Sequence, residues 1–536
     1  MKGIRSLIPI ALLAALVISL VGCSAPTSDT QGEDGTDLYY WDETELVIQL
    51  TDNTNGDDHT PGLRRYLAGE DSATAPEEIR RAVIARNEKS LADSRVRVRY
   101  TYLDNVAGYG CGQNSDRIVA EAASDAPDRP DIYGNFAHDL ALASLHGAFA
   151  DLYSTDYGRG QNYLNLRGES ADDCYLDEYM SSFAISDDRR YVLASDYTID
   201  VIRAFNVIPM NLELLERITS TDGRGEGALN AQALRKLVAD GDFTYGTVAA
   251  LSAACEAYSS DNPGAEGVLG LALNGNWGPT AAAILYSSDV EILVKDGSGE
   301  CHYSDDPTRF TAICNALTAL VEGDGVQVFD RAYVEERLGK IGHPYEAIRN
   351  VFADGGLLLG GPITVAELEA PEYHGMIKQG KLAILPLPIY SAESTQNGYK
   401  SVASHQAHVL AISKGTTAFE QCTAHLAHQS RGSAPVLAEY LNATLTPSEA
   451  TQTWDNAELI YMMRELENGN FDYYYEFINK DGISFDPAPT SWHRILLEHS
   501  YRVTDPAKEY SDEIGNRLDL LESTLDEWKA LKSEKK

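Results

Sequence analysis

The sequence predicts an α/β fold built on a largely parallel sheet, and three observations predict it. Short β-prone runs alternate with helix-like stretches in βαβα order through the first part of the chain. The run Val96 to Tyr102 (VRVRYTY) alternates cleanly, as a strand with one buried face does. With 536 residues, 43% of them hydrophobic and 23% charged, the chain can bury a sizeable core and is neither disordered nor collagen-like. No repeat of 20 to 50 residues is visible.

The elements follow in order. Glu45 to Leu50 (ELVIQL) reads as a first strand, and Pro76-Glu77-Glu78 as a helix start, because proline and acids suit the first turn. Ile79, Val83 and Ile84 then fall on one helix face. After strand 96 to 102 and a glycine-rich loop, Arg117 to Ala123 reads as a helix. Pro130 to Tyr133 reads as a strand ending in Gly134-Asn135, with a helix over 137 to 146. Runs 191 to 195 and 204 to 209 flank Asp196-Tyr197, and Asn211 to Arg217 begins another helix. Gly241 to Thr247 leads into helix 248 to 258. Leu382 to Leu385 precedes Pro386, Ala407 to Ser413 is a strand, and helices follow at 418 to 429, 433 to 441 and 507 to 532. In such a fold ligands gather beyond the carboxyl ends of the strands.

Charge and the N-terminus narrow the setting. The 43 Lys and Arg against 81 Asp and Glu give −38, which repels nucleic-acid phosphates and argues against a nucleic-acid partner. Lys2 and Arg5 precede an apolar stretch, Leu7 to Val21, that is short for a membrane span and reads as a signal peptide over residues 1 to 22. Leu20-Val21-Gly22-Cys23 resembles the bacterial lipobox, so Cys23 is expected to carry a diacylglyceryl anchor on the outer face of the cell membrane. Residues 23 to 37, rich in Ser, Thr, Gly and Asp, read as a flexible tether.

Farther along, several segments together resemble the extracellular solute-binding proteins of bacterial ABC importers, in the sugar-binding group related to maltose-binding protein. Pro130-Asp131-Ile132-Tyr133 followed by Phe149-Ala150-Asp151-Leu152 resembles the family's "PDI…G.l.dL" stretch. Val207 to Leu215 resembles its "yN..l.e" crossover, and Gly241 to Tyr245 its "dWTwdd" element, with Phe243 replacing Trp. Lys378 to Pro388 resembles "gk.g..plP", and Val409 to Ser413 the returning strand. The order of these motifs spans residues 45 to 500.

The resemblance implies a type II periplasmic-binding-protein fold, two Rossmann-like lobes joined by a hinge with solute between them. It places one lobe at 38 to 200 plus 392 to 445, the other at 201 to 391 plus 446 to 505, and a C-terminal helix at 506 to 536. The acidic segments 155 to 190 and 466 to 490 read as insertions. It also implies a membrane permease as partner and a protein that is not an enzyme. The sequence carries no GxSxG, HExxH or CxxC. A surface-anchored hydrolase or an adhesion lipoprotein is the alternative.

Sugar recognition needs flat aromatic faces and planar polar groups. Loops expected in the cleft are Asp52 to Asn55, Tyr133-Gly134-Asn135, Asp196-Tyr197, Asn274 to Pro279 and Gly360 to Thr364. The candidate ligand contacts are Tyr133, Asn135, Asp196, Tyr197, Trp277 and Thr364, with Trp277 the stacking residue. No arginine clamp is evident, so a neutral sugar or oligosaccharide is the first choice of solute. No cofactor and no metal are expected: the pairs His405/His408 and His425/His428 lack the glutamate of HExxH. Asn53, Asn55 and Asp57 fail the calcium-loop pattern, because Asp58 stands where glycine is needed. Gly108 to Gly112 lacks the spacing of a phosphate-binding loop.

Six cysteines follow Cys23. On the lobe boundaries above, Cys111, Cys174 and Cys422 share one lobe and Cys255, Cys301 and Cys314 the other. A bridge across the hinge would hinder opening, so at most two disulfides are expected, Cys111 to Cys174 and Cys301 to Cys314, with Cys255 and Cys422 buried and reduced.

Overall fold

A computed structural model describes residues 45–52, 64–67, 75–104, 114–154, 160–167, 172–182, 184, 188–221, 229–295, 301–339, 343–390, 398–404, 407–448, 454–465, 492–515, 526 and 529–530. The signal, Cys23, the tether, Asn53 to Asn55, Asp57 and Asp58, Gly108 to Gly112 with Cys111, His405, and segment 466 to 490 lie outside these residues.

Strands β1 (Glu45–Asp52), β2 (Arg97–Asp104) and β3 (Ile132–Phe136) are mutually parallel, with β1 between the other two. Helices Glu77–Ser94, Ser115–Ala122 and Ala137–Leu145 connect and follow them. The chain then reaches β4 (Asn206–Asn211), which begins a second sheet with β5 (Leu269–Asn274), β8 (Val326–Phe329), β9 (Leu357–Leu359), β10 (Ile363–Thr364) and β11 (Leu382–Leu385). A small antiparallel pair, β6 (Leu293–Lys295) with β7 (Cys301–Tyr303), stands apart. Finally β12 (His408–Ile412) returns to the first sheet and pairs antiparallel with β3.

Register shows which way the sheets face. His408 at the start of β12 lies opposite Phe136 at the end of β3, so the carboxyl ends of β1, β2 and β3 point to the edge where the chain comes back from the second sheet. Strand β5 runs parallel to β8 and β9, while β4 is antiparallel to β9, β10 and β11. The carboxyl ends of β5 and β9 therefore lie beside Asn206, where β4 enters from the first sheet. Both sheets turn their carboxyl ends toward the crossing segments, the arrangement that gathers ligands between them.

The crossing is a paired structure. Phe205 bridges Ala403, the Ser404 N–H donates to the Ala204 carbonyl (2.8 Å), and Asn206 Nδ2 donates to the Val402 carbonyl (2.8 Å). A chain of buried charges lies alongside. His408 Nδ1 bonds Asp200 Oδ2 (2.5 Å), Asp200 Oδ1 accepts from Arg203 Nη1 (2.5 Å), and Arg203 Nε donates to Glu369 Oε1 (2.7 Å). Tyr440 donates to the same Glu369 oxygen at 2.9 Å, and the Arg203 guanidinium lies over the Tyr66 ring, 5.2 Å from its centroid. Against the effect of burial, His408 and Arg203 hold the Asp200 carboxyl below its usual range. Burial works against the charge of Arg203 too, yet Glu369 and Asp200 hold the guanidinium firmly protonated.

The sequence placed most elements of the first sheet within two residues or so. The run 191 to 195 forms no strand: Leu193 makes an isolated bridge to Leu410, and Ser195 one to Tyr175. The disulfide expectation needs correction, because Cys174 and Cys314 are free thiols, so neither bridge forms. Cys314 sits on the inward face of helix Thr308–Val321 and is fully buried; burial pushes its thiol up to about 12. Cys174 is partly buried, and burial together with the charge of Asp196 pushes its thiol likewise to about 12. Cys255 and Cys422 are buried and reduced, as expected. Among the described residues no helix is long and apolar enough to cross a membrane.

Candidate functional site

A pocket opens at the carboxyl ends of β5 and β9. It is lined by Asn274, Trp277, Thr280, Tyr345, Ile348, Gly360, Pro362, Ile363 and Glu367. Its free space, open solvent at the mouth included, is about 280 Å³.

Each wall has a local cause. Asn274 ends β5, and its Oδ1 accepts the N–H of Asn276 (3.0 Å), turning the chain sharply. Gly275 is needed in this turn, since a Cβ there would lie 2.8 Å from Val328 Cγ1. Asn276 Oδ1 then takes the N–H of Arg331 (2.9 Å), which fastens the loop to the neighbouring strand end. Trp277 is the residue before helix Gly278–Ser287, whose start is set by Pro279. Trp277 is half-buried, while the helix behind it is buried at every position but Pro279. Tyr345 and Ile348 come from helix Pro344–Ala353, with Tyr345 stacked on His343 (centroids 5.5 Å, 21° between planes).

The remaining wall follows β9. Gly361 has φ +71°, and a Cβ on it would lie 2.2 Å from the carbonyl oxygen of Ala272. Only glycine fits there. Gly361→Ala is expected to cost about 3 kcal/mol or more from strain and overlap, measured by urea unfolding. Gly375→Ala, in helix Pro371–Lys378 where a Cβ would meet nothing within 4 Å, is the control and should be neutral or slightly stabilising.

Thr364 ends β10 and caps the short helix Val365–Glu369. The cap is reciprocal: Thr364 accepts from the backbone of Glu367, and Glu367 Oε2 accepts the Thr364 N–H at 2.9 Å. Burial pushes the Glu367 carboxyl up to about 7, against the lowering effects of that N–H and of Arg349.

Of the six residues expected to touch ligand, only Trp277 lines this pocket. Thr364 stands beside it as a helix cap. Tyr133 lies inside β3 with its ring against Phe149 (5.9 Å), 1% exposed. Asn135 is buried too, its Oδ1 accepting the Phe136 N–H at 2.7 Å. The strand runs on to Phe136, which is why these two residues are core rather than strand end. Asp196 is paired with Arg464 Nη2 at 2.9 Å. Tyr197 is buried under the Arg86 guanidinium (4.7 Å to the ring centroid), with its hydroxyl 3.4 Å from that of Tyr100. These four build the first lobe and the crossing instead of the pocket.

Asn274, Gly360, Pro362 and Ile363 lie in two loops expected in the cleft, whereas sequence reasoning missed Thr280, Tyr345, Ile348 and Glu367. The serine-threonine-acid pattern Thr364-Val365-Ala366-Glu367 was a readable capping signal. Tyr345 carried no signal, because only the second sheet's folding brings helix Pro344–Ala353 against the Trp277 loop. Among the described residues no three His, Cys, Asp or Glu side chains gather as a metal site. His425, buried edge-on to Tyr197 (6.1 Å), is held neutral, with burial and then Arg86 lowering it to about 3.

The structure is similar to that of the sugar-binding protein MalE from the phytopathogen Xanthomonas citri, with 12% identity over 92% of this chain and 100% of that one and a TM-score of 0.51. It is also similar to the galacto-N-biose-/lacto-N-biose I-binding protein of the ABC transporter from Bifidobacterium longum, with 13% identity, 90% and 98% coverage and a TM-score of 0.48. A probable secreted solute-binding lipoprotein from Streptomyces coelicolor matches with 15% identity, 88% and 98% coverage and a TM-score of 0.47. No protein-family model and no curated protein matches the sequence. These neighbours are binding proteins, and the sheet topology and the first similarity together establish the fold: this chain has the type II periplasmic-binding-protein fold seen in MalE.

Proposed function

We propose that this protein is the solute-binding component of an ABC importer, capturing a sugar or oligosaccharide between its two lobes and presenting it to a membrane permease. The carrying observation is the pocket at the carboxyl ends of β5 and β9, which combines the Trp277 and Tyr345 rings with Asn274, Thr280 and Glu367 and, among the described residues, has no Lys or Arg in its wall. Aromatic faces cover the apolar side of a pyranose while amide, hydroxyl and carboxyl groups take its hydroxyls. The type II fold and the sugar-binding identity of MalE support this reading.

In this reading the lobes are 38 to 200 plus 392 to 445 and 201 to 391 plus 446 to 505, and the crossing segments 200 to 206 and 402 to 408 are the hinge. Acylation at Cys23 holds the protein on the outer face of the membrane, and no reaction is catalysed. The test is a melting screen of the purified protein against sugars, peptides and amino acids. A sugar at 100 times its dissociation constant should add about 2.7 kcal/mol of stability. Stabilisation by peptides or amino acids with none by any sugar would overturn the sugar assignment.

A further inference from the structure

We propose that Glu367 sets the specificity of the Trp277 pocket by selecting a solute that carries a protonated amine, an amino sugar in preference to its neutral counterpart. The proposal rests on the solute-binding reading above and names the class of solute.

Among the described residues Glu367 is the one ionisable carboxyl in the pocket wall. The one hydrogen bond of that carboxyl among the described residues is from the Thr364 N–H to Oε2. A carboxylate accepts at both oxygens, so Oε1 is left for what enters the pocket. The charged and titratable groups that act on Glu367 are Arg349 from helix Pro344–Ala353 and Tyr373 from helix Pro371–Lys378, with Glu372 of the same helix acting on Tyr373. Arg349 is engaged with Glu372 at 3.3 Å, which divides its charge between two carboxyls. Tyr373 is buried, and burial raises its phenol further, so it stays neutral.

The rest of the wall agrees with a cation. Trp277 and Tyr345 line the pocket, and aromatic rings attract an ammonium. The field of a chain carrying −38 concentrates cations at its surface. Burial lifts the Glu367 carboxyl to about 7, so an arriving ammonium drives out a proton and replaces it with a desolvated ion pair. A neutral sugar offers no such exchange. The sign of the pH effect follows: amine binding strengthens as pH rises toward 7.5, because less of Glu367 must first be deprotonated.

The test is calorimetry of the purified protein with three pairs, glucosamine and glucose, galactosamine and galactose, mannosamine and mannose, at pH 5.5 and 7.5. At least one amine should bind about tenfold tighter than its neutral partner at pH 7.5, and the advantage should shrink roughly tenfold at pH 5.5. Glu367→Gln keeps an acceptor for the Thr364 N–H, so its melting should hold while the amine preference disappears. Neutral sugars binding as tightly as the amines would overturn the amine proposal and leave the solute-binding reading standing. The same preference in Glu367→Gln, or no amine binding above its neutral partner in any pair, would also overturn it.

Discussion

Replacing Arg203 by methionine is expected to destabilise the protein by about 3 to 5 kcal/mol, the range for breaking one partner out of a buried ion network. Arg203 is 1% exposed and touches Asp200 on the side of the first sheet and Glu369 on the side of the second. Methionine fills much of the volume, so packing over Tyr66 is largely kept and the loss is electrostatic. Asp200 would keep His408 as partner, and Glu369 would keep the Tyr440 hydroxyl. Urea unfolding measures the effect. Adding Glu369→Gln to Arg203→Met removes one stranded charge and should restore part of the loss, a coupling that a double-mutant cycle reads directly. A fully additive pair would show that the two sheets are not tied through this contact.

Trp277→Ala should leave the fold intact and weaken sugar binding by about 2 kcal/mol or more, roughly thirtyfold, as truncation of a buried aromatic anchor does. Trp277 is only half-buried, and it belongs to a loop whose turn is held by Asn274, Asn276 and the Phe329 carbonyl. Melting and circular dichroism should therefore match the parent. Trp492 supplies the contrast. It is fully buried against Phe310, Tyr303 and Tyr510, so Trp492→Ala should cost about 3 to 5 kcal/mol and affect every ligand only through the fold. Equal affinity of Trp277→Ala and the parent would remove this ring from the site.

The first sheet was readable because its strands carry their own pattern. Arg97–Asp104 alternates, and His408–Ile412 is a short apolar run bounded by turn residues. In the second sheet β4 and β11 fall on runs the sequence marked, 204 to 209 and 382 to 385, but its centre was not readable. Leu269–Asn274 is buried at every position after its first, and helix Gly278–Ser287 is apolar all round, so neither shows a period that separates strand from helix. Within the site, Trp277 between glycines was legible, as the glycines told of a turn and the indole had no helical face to join. Asp196 and Tyr197 misled because a polar pair beside a crossover reads the same whether it meets solute or meets Arg464 and Arg86. Those partners lie in distant segments, and only the tertiary fold brings them in. Glu367 was hidden by its neighbours for the opposite reason. Its capping bond is local, but its place in the pocket depends on the positive φ of Gly361 and on where helix Pro344–Ala353 packs.

The most direct test of the account is amide hydrogen exchange on the purified protein with and without the sugar that most raises its melting temperature. The account predicts that protection rises in three separated segments at once, 274 to 280, 343 to 348 and 360 to 367, with a further gain along the crossing segments 200 to 206 and 402 to 408 as the lobes close. Protection confined to other surfaces, with these three segments unchanged while the sugar is bound, would contradict it.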